Sequence, residues 1–266
     1  MADINKAGKE FREMDDLAMQ ESPIHAFSPT AKLLITIAYI FIVASFNKYS
    51  LSGLMIMALY PAVMFSLSGI SVFKCFYKLR FILPIVMAVG IFNPFFDRAP
   101  VFTAFGLTIN AGFISMLTLM FKGILCLMAS FILASTTSID KICIALRKIH
   151  VPKMMVTLIL LMFRYISVMI DEVSVMYMAY LLRAPMQKGV HFSAWGSFLG
   201  QLLLRSSDKA QELYLSMQLR GFDGEFEYAG KEKISGRDIL ITAIIIGIFI
   251  IFRIFNITQI LGGLFV

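Results

Sequence analysis

From residue 107 to residue 134 the chain runs for 28 residues with a single charge, Lys122. A helix needs about 20 apolar residues to cross the hydrocarbon core of a bilayer, so this run is long enough to span a membrane and too apolar to sit comfortably in water. Shorter apolar runs follow the same pattern at residues 32–46, 51–67, 81–96 and 239–255. Only 15% of the residues are charged, against about 25% in an ordinary soluble domain. The chain therefore reads as an all-α integral membrane protein with about five transmembrane helices. Residues 1–20 mix both charge signs and hold no apolar core, unlike a signal peptide, so the first apolar run is expected to be retained as a span.

Charge placement orients these spans. Lys74, Lys78 and Arg80 crowd the connection between the second and third runs, and Lys and Arg concentrate in cytoplasmic loops. The opposite connections carry Lys48 alone or the near-neutral pair Asp97-Arg98. The N-terminus is accordingly expected inside the cell and the chain in the plasma (cell inner) membrane. The net charge of +7 belongs to this topology and is no nucleic-acid signal. Four segments result: a cytoplasmic N-terminal segment (1–30), four spans (31–134), a charged region (135–236) and a last span with the C-terminus (237–266).

The charged region is the informative part. It holds most of the charge yet keeps apolar runs such as residues 154–163, which predicts three or four helices at or dipping into the cytoplasmic face. One helix shows a stripe at Leu202, Leu203, Ser206, Ala210, Leu213 and Met217 at helical spacing. Ser206 and Ala210 form a small-xxx-small step that lets another helix cross closely. On the other face, Arg205–Asp208 and Lys209–Glu212 are spaced for i, i+3 pairs. This helix is expected to stop at Leu219-Arg220-Gly221, where glycine adopts the left-handed cap conformation. Arg220 either caps its own helix or presents its charge to a partner. A second segment, residues 171–183, is apolar on nearly every side and reads as buried. It ends at Leu182-Arg183-Ala184, before Pro185, which disfavours helix at the preceding residue. Two helix ends with matching cationic tips suggest two matching acidic or grooved receptors, and arginine is the side chain best shaped to pair with a carboxylate.

Other residues carry weaker signals. Lys122 lies at membrane depth, where an ionisable group is functional by default; a buried pair with Asp171 or Glu172 is the favoured reading, and Arg164 invites the same one. Met116, Met120, Met154, Met155 and Met162 read as pliable packing residues, and Cys75, Cys126 and Cys143 as small apolar ones. No ATP-binding phosphate loop, HExxH or GxSxG occurs. Asp171 and Glu172 are adjacent and face different sides of a helix, so an intramembrane enzyme is a remote alternative.

These features together resemble the transmembrane (T) component of energy-coupling factor transporters, most closely the CbiQ family of cobalt transport proteins. The resemblance is carried by Ser22-Pro23-Ile24-His25 through Lys32-Leu33-Leu34, by Thr136-Thr137, Val151-Pro152-Lys153, Phe163-Arg164-Tyr165-Ile166, Glu172 with Ala179, and most specifically by Arg220-Gly221-Phe222-Asp223-Gly224. It implies a non-catalytic subunit with no cofactor of its own, ATP and magnesium being bound by two partner ATPases. Leu182, Arg183 and Ala184, with Leu219, Arg220 and Gly221, would be the ATPase-coupling residues. They take the place of the family's two Ala-Arg-Gly-type triplets, here without the leading alanine. A separate membrane subunit would bind the substrate, cobalt or nickel, with a vitamin importer as the alternative.

Overall fold

The computed structural model describes residues 27–48, 50–96, 100–104, 107–183, 189–222, 224 and 236–254. In chain order the elements are α1 (Pro29–Ser45), α2 (Leu51–Met57), α3 (Leu59–Ser68), α4 (Val72–Leu79), α5 (Leu83–Phe96), β1 (Pro100–Ala104), β2 (Leu107–Asn110), α6 (Ala111–Thr136), α7 (Ile139–Lys148), α8 (Lys153–Arg183), a 3-10 turn (Phe192–Ala194), α9 (Trp195–Leu219) and α10 (Gly236–Ile254). The protein is an α-helical membrane protein, interrupted by one antiparallel hairpin that pairs Phe102 with Ile109. Two compact units divide it: residues 17–138 with 232–266, and residues 139–231 with 1–16.

Within the first unit, the exterior is apolar as well as the core, and small hydroxyl residues are buried between the helices. Ser115, Thr118 and Ser135 are fully buried, while Phe41, Ile85 and Ile254 are exposed. Lipid solvates such an apolar exterior, and small residues let helices pack closely. Several hydroxyls bond back into their own helices: Thr118 Oγ1 donates to the Ile114 carbonyl at 2.7 Å, Thr136 Oγ1 to Ile132 at 2.8 Å and Thr36 Oγ1 to Lys32 at 2.8 Å. This is how a helix carries Ser and Thr without leaving the hydroxyl bare.

The run at 51–67 is two helices rather than one. Pro61 has no N–H, so the Met57 carbonyl four residues earlier has no helical donor, and the helix breaks at Ala58. Tyr39 of α1 supplies the missing donor, its hydroxyl reaching the Met57 oxygen at 2.9 Å. The Tyr39 ring packs against Tyr60 and Phe249, with centroids 4.6 and 5.4 Å away, tying α1, α3 and α10 together. The run beginning at 107 is also corrected: β-branched Thr108 and Ile109 pair in the hairpin, and helix starts only at Ala111.

The carboxylate partner expected for Lys122 gives way to main-chain carbonyls of its own unit. The Lys122 ammonium donates to the carbonyls of Ala44, at 3.2 Å, and of Phe46. Arg253 of α10 donates to the Ser45 carbonyl at 2.9 Å and stacks over the Phe46 ring at 4.8 Å. The last carbonyls of a helix have no partner within it, and apolar surroundings make bare carbonyls costly. Two cations from α6 and α10 therefore close the negative end of α1. The same device recurs where Lys32 donates to the Thr136 carbonyl at the end of α6, 3.1 Å away.

Helices α5 and α6 approach most closely at two glycines. A methyl group on Gly123 would lie 2.4 Å from Cγ1 of Val86, and one on Gly90 would lie 2.5 Å from Cγ of Met120. Valine is stiff at χ1 whereas methionine bends aside. Gly123→Ala is therefore expected to lower the thermal midpoint of the solubilised chain, at a cost of about 1–3 kcal/mol, and Gly90→Ala to lower it less. Val86→Ala placed in the Gly123→Ala background should recover most of the loss. Equal melting of all four proteins would refute this packing.

Candidate functional site

Helices α7, α8 and α9 belong to the second unit. No proline or glycine occurs between residues 153 and 183, so nothing interrupts α8, whose 31 residues extend about 46 Å at 1.5 Å per residue. The apolar run at 154–163 and the segment at 171–183 are thus one helix. By length and composition it joins residues 112–136 as a candidate membrane span. The expectation that residues 171–183 are buried fails: Val175, Met178 and Leu182 are exposed. So are Met154, Met155 and Met162, while Met116 and Met120 of α6 are half-buried.

The arginine tips have definite local geometry. At the end of α9 the Phe222 N–H donates to the Met217 carbonyl at 3.0 Å, and the Gly221 N–H to Gln218 at 2.9 Å. Gly221 has φ +76°. This pair of bonds is a Schellman cap, built entirely from backbone. The Arg220 side chain is not needed for it, and among the described residues the guanidinium has no partner. Arg183 is likewise exposed at the end of α8 without a partner among those residues. Beside each arginine stands a bare leucine: Leu182 is 83% and Leu219 90% exposed. Ala184 and Asp223 lie outside the described residues.

The charges between the tips are arranged differently from expectation. Arg205 of α9 donates to Glu172 of α8 rather than to Asp208, a contact sequence spacing could not reveal because the partners are 33 residues apart. Lys209 does bond Glu212, at 3.0 Å, and that hydrogen bond raises the Lys209 pKa. Arg164 and Asp171 are exposed rather than buried, and Glu172 is half-buried with its Arg205 partner. On the α9 stripe Leu202, Ser206, Leu213 and Met217 are half-buried, whereas Leu203 and Ala210 face outward. Ser206 Oγ donates to the Leu203 carbonyl at 2.8 Å. Cys143 of α7 is fully buried; burial, then nearby Asp140, pushes its thiol pKa up, which suits an inert packing residue.

Comparison with known proteins places these features. Residues 20–229 match the model of the CbiQ family, described as cobalt transport protein. Over 147 residues the chain is 26% identical to an uncharacterized protein of Methanocaldococcus jannaschii, covering 53% of this chain and half the length of that relative. Over 250 residues it is 26% identical to the energy-coupling factor transporter transmembrane protein EcfT of Lactococcus lactis subsp. cremoris, covering 85% of this chain and 91% of the relative.

Proposed function

This chain belongs to the CbiQ family of cobalt transport proteins, and on that premise we propose that it is the T component of an energy-coupling factor importer, passing the motion of two ATPases to a separate substrate-binding membrane subunit. The observation that carries the reading is the pair of exposed arginines at the ends of α8 and α9, without partners among the described residues and each beside a bare leucine. A planar guanidinium takes a carboxylate through two parallel bonds, and the adjoining leucine offers apolar surface to the wall of a groove. ATP and magnesium would sit in the ATPases. Ala184, next to Arg183, would complete the first tip and Gly221 the second.

The outward methionines of α8 suit the substrate-binding subunit. Thioether side chains adapt to a surface that shifts against them, and Met154, Met155 and Met162 give one helix such a surface. The family's description favours cobalt, or chemically similar nickel, as the imported substrate. A vitamin importer is the second reading, supported by the lactococcal relative, whose name specifies no metal. In either case the N-terminus would lie in the cytoplasm and the chain in the plasma membrane, by the basic residues at 74–80.

Tagged chain purified from its native membranes is expected to bring down ATPases and one small membrane protein, whose identity names the substrate. Recovery of the chain alone, under conditions that keep membrane complexes intact, would sink the proposal.

A further inference from the structure

Helix α4 has two apolar faces, and only one is explained by the fold. Cys75, fully buried, and Leu79 point inward and pack with Phe65, Phe131 and Ile132. The outward face carries Phe73, Phe76 and Tyr77 at the spacing of one helical stripe, and Arg80 and Phe81 follow in the turn that ends the helix. Phe73 is 81% and Phe81 75% exposed. Tyrosine collects at the level of lipid headgroups, where its hydroxyl is wet and its ring apolar, and interfacial helices bury phenylalanine at the headgroup–acyl boundary beside it.

Among the described residues, neither Lys78 nor Arg80 has a carboxylate partner. The guanidinium of Arg80 lies over the Tyr77 ring at 5.3 Å and over the Phe81 ring at 5.0 Å, which leaves its edge free to donate. Lys78, on the flank between the two faces, has an ammonium shielded from solvent with no hydrogen-bond partner among the described residues. No Asp or Glu occurs anywhere from residue 22 to residue 96, so this part of the chain cannot supply the missing anion. A shielded cation without an acceptor is costly, and the flexible lysine stem can swing its head to the surface.

We propose that α4 is a membrane-interface anchor that selects anionic phospholipid. Phe73, Phe76, Tyr77 and Phe81 lie among the headgroups while Arg80 and Lys78 take the lipid phosphate. An anionic leaflet attracts each basic residue held near its surface by about 1 kcal/mol, or roughly fivefold in occupancy. The anchor is independent of what the transporter carries.

The test uses the full chain in nanodiscs doped with spin-labelled phosphatidylglycerol or phosphatidylcholine, reading the immobilised lipid fraction by electron paramagnetic resonance. Wild-type protein should hold phosphatidylglycerol at least about fivefold more strongly. The preference should fall with added salt and approach one in Lys78→Gln/Arg80→Gln protein of unchanged melting temperature. Equal affinity for the two lipids would overturn the proposal and leave this face to an acidic protein; a preference that survives the double substitution would overturn it too. Should the double variant misfold, photo-crosslinking phosphatidylglycerol to wild-type protein decides the matter: labelling within residues 72–82 supports the anchor, and labelling confined to other segments rejects it.

Discussion

Arg183→Glu combined with Arg220→Glu is expected to abolish ATP-driven uptake while the chain stays folded in its membrane. The folding cost should be small because neither side chain has a partner among the described residues. Arg220 caps no carbonyl that the Phe222 and Gly221 backbone bonds leave open, and reversing a charge in the last turn of an exposed helix costs about 0.3–1 kcal/mol. The cost to docking is larger. Removing one partner of a desolvated charge pair at an interface costs about 2–5 kcal/mol, and a glutamate facing a carboxylate adds repulsion. Each single change should therefore weaken ATPase association by roughly two to three orders of magnitude. Lysine at either position should behave between the extremes, since it keeps the charge and loses the bidentate fork. The readouts are ATPase co-purification and uptake in vesicles, with the yield of membrane-inserted chain as the folding control. Uptake at the wild-type rate by the double mutant would show that these arginines do not dock.

What sequence could show and what it could not divide along a physical line. Apolar runs near 32–46, 81–96 and 239–255 did become helices, because helix is the structure that satisfies the backbone of a lipid-facing segment. Gly221 was legible as a cap because a left-handed residue after a helix favours glycine. Helix α8 was read as two pieces because Arg164, Asp171 and Glu172 interrupt its apolar pattern, although nothing there interrupts its backbone. The closures of α1 were not legible at all. Lys122 reaches Ala44 across 78 positions and Arg253 reaches Ser45 across 208, and Arg253 looks, from sequence, like an ordinary charge near the end of a span. Arg205 had a plausible local partner in Asp208 and took a distant one instead. In each case local periodicity was readable, and the miss lay in pairings that only the folded chain brings together.

That distant pairing leads to the second large effect, because it ties together the two helices that carry the tips. None of the 25 residues of α9 is fully buried, so no apolar core of its own fixes its angle to α8. The Arg205–Glu172 bond is a specific polar link between them. Half-exposed ion pairs contribute little to global stability, about 0–1 kcal/mol, so Glu172→Gln should barely change melting. Its consequence should appear in geometry. Once one tip is docked, the other meets its receptor at an effective concentration set by how tightly their separation is held, and a splayed pair of helices dilutes it. Spin labels at Ser197 and Lys153, away from the tips, should give a narrow distance distribution in the wild type and a broad one after Glu172→Gln. Uptake should fall by roughly tenfold, as expected for the loss of about 1.4 kcal/mol of coupling. The reciprocal exchange, Glu172→Arg with Arg205→Glu, restores the attraction with its direction reversed and should recover both the narrow distribution and most of the transport. If Glu172→Gln leaves the distribution unchanged, the helices are held by something other than this pair; if the exchange fails to rescue while each single variant stays folded, charge attraction is not what sets their angle.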